Sequence, residues 1–419
     1  MKDRFRLLRE RLGEQLWIRP LLMCLISIAG VFLTKTADGT KLGEFVPDIR
    51  EESINTLLST MSASMLMIAT FAVGTMVTSY AAASSRATPR SFSLVIADDV
   101  SQNALSAFIG SFIYSVVGLI ALENGYFERA ARFALFVLTL MVFALVILTF
   151  VRWLDRIARL GRIQTTIETV EKATCQALRR RKQIRRLGGI PISAEHQGFT
   201  PVFTQAIGYL QCIDMASLQE NAEKNSIKIR IASLPGTFCT PDKIMAYVWS
   251  ENKNDEGSLD ELDLEKVKNA FIVGRQRTFA DDPRFGLVVL SEIAGKALSP
   301  AVNDPGTAIN VIGSLVRLLS QWGDHSETQP PVKYKDIEVP ELSPRDMFDD
   351  AFTAIARDGA GIVYTSIRLQ KALHSLAVMG DKGIQAAALD HAQMAQTRAV
   401  AALSLDEEKT AMLAITNGG

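Results

Sequence analysis

The sequence predicts a membrane protein with a four-helix transmembrane region followed by a cytoplasmic α+β part, in which a small β-rich module precedes a helical module. Two observations lead to this fold class. All long uncharged runs fall in the first 151 of the 419 residues. Beyond them, the hydrophobic pattern changes to short strands and then to amphipathic helices. The predicted domains are a transmembrane domain, a linking helix, a β-rich module and a helical module, at residues 1–153, 154–187, 188–280 and 281–419.

Four uncharged runs predict membrane spans, at about 16–34, 53–85, 100–122 and 133–151. A bilayer core of about 30 Å requires about 20 mostly apolar helical residues, which the last three runs supply. The first is shorter, so we expect Arg19 to reach back to the headgroups and Trp17 to lie at the interface. Because no small-residue cleavage site follows Leu33, this span is interpreted as a retained anchor rather than a signal peptide.

The distribution of basic residues predicts the orientation of the spans. They precede the first span at Lys2, Arg4, Arg6, Arg9, Arg11 and Arg19, and follow the fourth at Arg152, Arg156, Arg159 and Arg162 and in the run Arg179–Arg186. By the positive-inside rule we expect both termini to be cytoplasmic. Because that run contains no aromatic residues, nucleic acid is not expected as a partner. The run lies too far along the predicted helix for easy headgroup contact, so we interpret it as solvated or as facing an acidic partner surface. The four spans themselves predict the lipid bilayer as a partner.

The second span carries an unusual polar stripe. At 100° per residue, small and hydroxyl side chains share one face with two bulky ones: Thr60, Ser64, Met67, Phe71, Gly74, Thr75, Thr78 and Ala82. Small residues often allow helices to pack closely. The alternative is a pore-lining helix in a homo-oligomer, with Met67 and Phe71 as a dewettable constriction. Both interpretations stay open. Because the stripe holds no acid or base, a proton-coupled transporter is disfavoured.

After the fourth span, apolar residues at helical spacing predict one helix continuing to about Arg186. The following strands are predicted in the runs "GYLQCI", "SIKIRIASL" and "KIMAYVWS" and at residues 270–274, with a helix at 215–224. Residues 251–263 are acidic and predict a surface loop.

The segment "ALSPAVNDPGTA" predicts a turn between two helices, at residues 283–298 and 305–322. Each helix begins with an Asp–Pro pair, Asp282–Pro283 and Asp304–Pro305, in which the aspartate is a cap and proline takes the first helical position. Pro300 and Asn303 lie in the turn. Two helix N-termini could also bind an anion, or the oxygens a cation. Capping is favoured, because the aspartates themselves satisfy the free amides.

The remaining helices are predicted at 344–357, 362–379 and 382–404, after a long proline-containing connector. His374 and His391 lie on these helices without a neighbouring carboxylate, so we interpret both as packing or surface residues. The cysteines form no C-x-x-C pair, which indicates neither disulfides nor zinc. We predict no metal, cofactor or catalytic residue.

Two runs carry a resemblance to a known family: R-T-x-x-x-D-P-x-F-G from Arg277 and A-L-S-P-x-x-N-D-P-x-T-A from Ala297. With the four spans, they resemble a family of bacterial predicted membrane proteins catalogued as a domain of unknown function. The resemblance implies the topology and fold, and no activity.

Three function classes compete. A channel explains the hydroxyl stripe, whereas a membrane-anchored sensor or scaffold explains the large cytoplasmic part without a pore. An enzyme is not expected, since no nucleophile, phosphate-loop or metal motif is present. We expect an oligomeric inner-membrane channel for ions, lined by the second span and gated through the cytoplasmic domain, with an ion or small molecule as candidate ligand.

Overall fold

The structure is a computed structural model that describes residues 15, 17–40, 45–96, 98–193, 199–250, 264–323 and 332–417. The predicted N-terminal basic cluster and the acidic loop at 251–263 lie outside these residues. The chain forms two compact units, one from Arg9 to Thr166 and one that contains Ile167–Gly419. We describe each unit by itself.

The first unit contains the four apolar helices that the sequence predicts. They are α1 (Ile18–Thr34), α2 (Glu51–Arg86), α4 (Asp99–Glu123) and α5 (Arg129–Leu160), with a short helix α3 (Phe92–Ile96) between α2 and α4. By length and composition, all four could cross a membrane. The prediction of four apolar helices is therefore confirmed.

Polar contacts at one end of this unit join the start of α1, the start of α4 and the end of α5. Arg19 lies 2.5 Å from Asp99 and donates a hydrogen bond to Asn103. Arg156 lies 2.7 Å from Asp98, which precedes α4. Arg19 thus pairs within the bundle, and its contact with headgroups stays a prediction.

The opposite end joins the end of α1 to the start of α5. The Asp38 carboxylate accepts hydrogen bonds from the backbone amides of Glu128 and Ala131, at 3.0 and 2.7 Å. Arg129 donates to the carbonyl of Val46. Consecutive long helices therefore run in opposite directions.

Helix α4 is the centre of the bundle, because small residues let α1 and α2 approach it closely. An added Cβ at Gly110 would lie 3.1 Å from the Met23 Cβ on α1, and one at Gly118 would lie 3.2 Å from a methyl group of Leu58 on α2. Buried serines extend this small-residue surface: Ser101, Ser106, Ser111 and Ser115. Close helix packing therefore uses the third span, where the sequence analysis did not look for it.

The predicted continuous helix beyond the fourth span is wrong. Helix α5 ends at Leu160, Gly161 caps it, and a separate helix α6 covers Ile163–Gln183. The apolar spacing continues on both sides of the break, so periodicity alone gave no sign of it. Glycine is the weakest helix former after proline, and it supplies the physical reason for a stop here.

The second unit contains two sheets. The larger has the strand order β1-β8-β4-β6-β2 and the smaller the order β5-β3-β7. The strands are β1 (Gly189–Ile190), β2 (Thr200–Phe203), β3 (Gly208–Ile213), β4 (Ile227–Ile231), β5 (Phe238–Cys239), β6 (Ile244–Ser250), β7 (Phe271–Gly274) and β8 (Tyr334–Glu338), and helices α7 (Met215–Asn225) and α8 (Leu264–Asn269) accompany them.

Strand β8 corrects the predicted connector between the helical segments. It lies between β1 and β4 and is parallel to both. Its acidic residues obscured the strand pattern, but they pair across to β4. Lys228 lies 2.8 Å from Asp336, and Arg230 lies 2.6 Å from Glu338, which is 5% exposed. The β-rich and helical modules, predicted to be separate, thus share one sheet.

The helical part of the second unit confirms the predicted helices closely. It consists of α9 (Pro283–Leu298), α10 (Pro305–Gly323), α11 (Pro344–Asp358), α12 (Val363–Met379), α13 (Lys382–Ala402) and α14 (Asp406–Asn417). Helix α9 packs on α10 and α11, and α13 packs on α11 and α12. The inward faces are aliphatic and aromatic, with Leu290, Ile312, Phe348 and Phe352 nearly inaccessible to solvent.

The close approach of α1 to α4 gives a first prediction. Gly110→Val should separate these helices, since its side chain would enter the space of Met23 and Ser27. We expect a loss of about 1–3 kcal/mol, measured as a lower melting temperature in detergent.

Gly74→Val is the matched control, because a Cβ there would meet no heavy atom within 4 Å. Both changes replace a helical glycine by the same residue. An equal effect at the two positions would contradict the central role of α4.

Candidate functional site

The polar stripe of the second span lies on the outward face of α2. Within this unit, Met67 is 75% exposed and Phe71 is 59% exposed. Thr60, Ser64 and Thr78 are also exposed, and Thr75 is half-buried. The predicted pore-lining residues therefore share one face that the chain itself leaves uncovered.

The opposite face of α2 makes the contacts with the rest of the bundle. Its residues are at most 7% exposed and almost entirely apolar: Ile54, Leu58, Met61, Met65, Ala69, Ala72, Met76 and Tyr80. The stripe thus takes no part in the main packing of α2 within the chain.

The threonine hydroxyls of the stripe are bonded to their own helix. Thr60 donates to the Thr56 carbonyl at 2.7 Å and Thr78 donates to the Gly74 carbonyl at 2.9 Å. Thr75 donates to the carbonyl of Phe71 at 3.1 Å. Such bonds satisfy the hydroxyl proton in lipid and leave the oxygen lone pairs outward, where water could reach them.

One stripe residue touches another helix through its ring. Phe71 meets Trp153 of α5 edge to face, with the ring centroids 6.4 Å apart. Trp153 is fully buried, and sequence analysis did not identify it. Its position near the end of the fourth span was the available signal.

The first Asp–Pro pair caps α9 and forms a buried ion pair. Asp282 accepts a hydrogen bond from the backbone amide of Phe285, and Pro283 takes the first turn of the helix. Arg277 donates to both oxygens of Asp282, at 2.6 and 3.0 Å. Burial raises the pKa of the Asp282 carboxyl, although Arg277 acts in the opposite direction. Gly236 packs directly against this carboxylate and has a φ of +98°, so only glycine fits there.

Arg181 of α6 belongs to the same cluster and was not predicted. It is 6% exposed. Burial lowers its pKa to about 10, although the negative charges of Asp281 and Asp282 act to raise it. The basic run Arg179–Arg186 was interpreted from sequence as solvated or as facing an acidic partner. It therefore includes a buried charge, Arg181, that lies near Asp281 and Asp282.

The second Asp–Pro pair caps α10. Asp304 accepts hydrogen bonds from the hydroxyl and the backbone amide of Thr307, at 2.6 and 3.0 Å, and these hold the pKa of Asp304 below its usual range. Pro305 begins the helix. In the exposed turn, Pro300 interrupts the chain, and Asn303 adopts a left-handed φ of 49°, which asparagine tolerates. No ligand is needed to account for the turn.

Helix α6 is held along the α9–α10 hairpin. Arg317 of α10 donates to both oxygens of Glu171, at 2.7 Å each, and this lowers the pKa of Glu171. Thr174 packs directly on Gly286 of α9, where a Cβ would not fit. Gly286, at the end of the first family-like run, and Arg317 of α10 therefore lie against α6.

His391 is a buried packing residue, as the sequence predicted, but the expectation that it has no neighbouring carboxylate is wrong. It is 3% exposed, and its Nε2 lies 2.9 Å from the Asp349 carboxylate of α11, so a carboxylate neighbour does exist. The partner was invisible because it comes from another helix. Among the described residues, no three His, Cys, Asp or Glu side chains come together as metal ligands.

A cleft of about 440 Å³ lies beside helices α11 and α13. It is lined by Arg345, Asp390, Gln393, Met394, Thr397 and Arg398. Arg398 also donates a hydrogen bond to the carbonyl of Thr353. The cleft is an open depression on the surface of the second unit.

Comparison with a family model gives the class of protein. A family model described as "Predicted membrane protein (DUF2254)" matches residues 13–375. The chain is 30% identical over 115 residues to uncharacterized proteins of Mycobacterium bovis and of the Mycobacterium tuberculosis strains CDC 1551 and H37Rv. That segment covers 27% of this chain and 22% of each relative, so it spans well under half of the relatives. No solved structure matches the chain.

The buried ion pair gives a second prediction. Arg277→Ala leaves the Asp282 carboxylate buried and without its bidentate partner, and we expect a cost of about 3–5 kcal/mol in unfolding free energy. Chemical denaturation measures this loss.

Arg345→Ala is the matched control, since Arg345 forms an ion pair with Asp390 in which the side chains are 61% and 57% exposed. Its cost should stay within about 1 kcal/mol. Equal losses for the two variants would show that burial does not make the loss of Arg277 more costly than the loss of an exposed partner.

Proposed function

The chain belongs to the DUF2254 family of predicted membrane proteins, and from this premise we propose that it is a homo-oligomeric channel for ions in the bacterial inner membrane. The outward face of α2 would line the path, and the second unit would gate it. The observation that carries the proposal is the outward, unpacked position of the polar stripe.

The packing of the bundle supports this choice over internal helix contact. Small residues commonly serve helix packing in membranes, but here α4 supplies that surface through Gly110 and Gly118. Apart from the contact of Phe71 with Trp153, the stripe on α2 is left without such a task among the described residues. A single helix face cannot enclose a path, so several copies must contribute α2.

The stripe has the order expected of a gated path. Hydroxyls at Thr60 and Ser64 lie towards one end and those at Thr75 and Thr78 towards the other. Met67 and Phe71 project between them and are more than half exposed. A ring of such apolar side chains closes a pore by excluding water, and small displacements open it.

The charges at the two ends of the bundle favour cytoplasmic termini. At the end that contains the start of α1 and the end of α5, basic residues exceed acidic ones: Arg19, Arg90, Arg152, Arg156, Arg159 and Arg162 against Asp98, Asp99 and Asp155. At the other end acids predominate: Asp38, Asp48, Glu51, Glu52, Glu123 and Glu128 against Lys35, Arg50, Arg129 and Arg132. The basic end belongs inside by the positive-inside rule.

A membrane-anchored sensor or scaffold without a pore is the second candidate. It is favoured by the cleft beside α11 and α13, which has room for a small molecule and two guanidinium groups in its lining. The intrahelical bonds of the stripe hydroxyls would also suit a helix that faces lipid. In that case the apolar helices only hold the second unit at the membrane.

Water access to the stripe is the third prediction, and it tests the pore. In a cysteine-free background, Ser64→Cys and Thr78→Cys should react with a water-borne thiol reagent in liposomes and lower the flux of ions. Leu58→Cys, on the buried face of α2, is the control and should stay unreactive. Native mass spectrometry should find several copies in each particle.

Flux without any reaction at the stripe would place the path elsewhere. Absence of flux, together with binding of a small molecule at the cleft, would favour the sensor.

Orientation is the fourth prediction. Asn124→Cys lies in the exposed turn between α4 and α5, at the acidic end, and should react with an impermeant maleimide on spheroplasts whose inner membrane is intact. Arg90→Cys, at the basic end, should react only after that membrane is permeabilised. The reverse pattern would invert the proposed topology.

A further inference from the structure

The Phe71 side chain contacts α5 through its ring. Although it is 59% exposed, its ring meets Trp153 of α5 at an interplanar angle of 79°. Trp153 is in turn held by Phe108 and Phe150, with ring centroids 6.1 and 6.0 Å away. Edge-to-face ring contacts are directional. The direction of the Phe71 ring therefore depends on where Trp153 lies.

One turn further along α5, Arg156 anchors the same stretch of helix. Its guanidinium bonds to the Asp98 carboxylate at 2.8 Å, and Asp98 also accepts hydrogen bonds from the backbone amide and hydroxyl of Ser101. The Asp98 side chain is 6% exposed, so water screens this ion pair weakly. Residues 153–156 thus contact Phe71 through the Trp153 ring and contact Asp98, at the start of α4, through the Arg156 guanidinium.

We propose that Trp153 is a positioning residue that sets the Phe71 constriction, so that a displacement of residues 153–156 opens or closes the path. The proposal rests on the channel function proposed above and names its point of control. Only Gly161 and Arg162 separate α5 from α6 along the chain. A movement of α6 would reach Trp153 through the last turns of α5.

The Trp153 indole allows a clean experimental variant. Its N–H is buried and has no hydrogen-bond acceptor among the residues that the structure describes. Trp153→Phe removes this donor and retains a ring, so the protein should fold and Phe71 should keep its partner. Trp153→Ala removes the ring itself.

The experiment is a double-mutant cycle read as ion flux from liposomes. Phe71→Ala and Trp153→Ala should each raise the leak about fivefold, which corresponds to the roughly 1 kcal/mol of a ring pair. The double variant should leak no more than Phe71→Ala alone, because Trp153 acts through Phe71. Trp153→Phe should match the wild type.

Phe32→Ala is the matched control. Phe32 meets Tyr126 edge to face at 5.8 Å at the other end of the bundle, and its loss should leave the leak unchanged. Melting in detergent checks that each variant is folded. If Trp153→Ala does not fold, Trp153→Leu replaces it in the cycle.

Additive effects of the two substitutions would overturn the positioning role while leaving the channel intact. Absence of flux from the wild-type protein would overturn the channel, and this role with it. A leak from Phe32→Ala equal to that from Trp153→Ala would also overturn the role, since any lost ring would then suffice.

Discussion

The close contact of α4 with its neighbours is the constraint on which the first unit depends. Gly110 and Gly118 let α1 and α2 approach so closely that a larger side chain would be crowded by Met23 or Leu58. Because the inner face of α2 is thereby committed to α4, its other face must point away from the bundle. The polar stripe is outward for that reason, and its composition needs an explanation beyond the folding of one chain.

In the second unit, one buried ion pair accounts for Arg277 and Asp282 of the R-T-x-x-x-D-P-x-F-G run. Arg277 and Asp282 close the loop before α9, and Gly236 leaves room for the carboxylate from another part of the chain. Arg181 brings α6 to the same place. Through these contacts, Arg277 and Asp282 hold together the loop that contains Gly236, the start of α9 and α6.

Sequence reasoning succeeded where the cause is local. The caps at Asp282 and Asp304 depend on residues three positions away, so a single run of letters contains all the information. The apolar helices are equally local, because length and composition decide them. Strand β8 was missed because its charges are compensated by Lys228 and Arg230, a hundred residues earlier. The His391 partner was missed for the same reason.

The break at Gly161 and the role of α4 were missed for a different reason. In both cases the sequence pattern was present but fitted two interpretations. Apolar spacing continues across the break, and serines scattered along a span are equally typical of lipid-facing positions. Only the position of the neighbouring helix determines whether a small residue faces another helix or lipid. The candidate pore face was predicted as a set of residues, whereas its partner Trp153 required the fold.

The position of β8 also has a consequence for how the protein is made. Among the described strands, β1 pairs only with β8, and β4 has β8 on one side. The ribosome synthesises residues 189–231 long before residue 334. Until then β4 has a bare edge, which is prone to pairing with other chains. Lys228 and Arg230 on β4 would discourage such pairing in the nascent protein until β8 is synthesised.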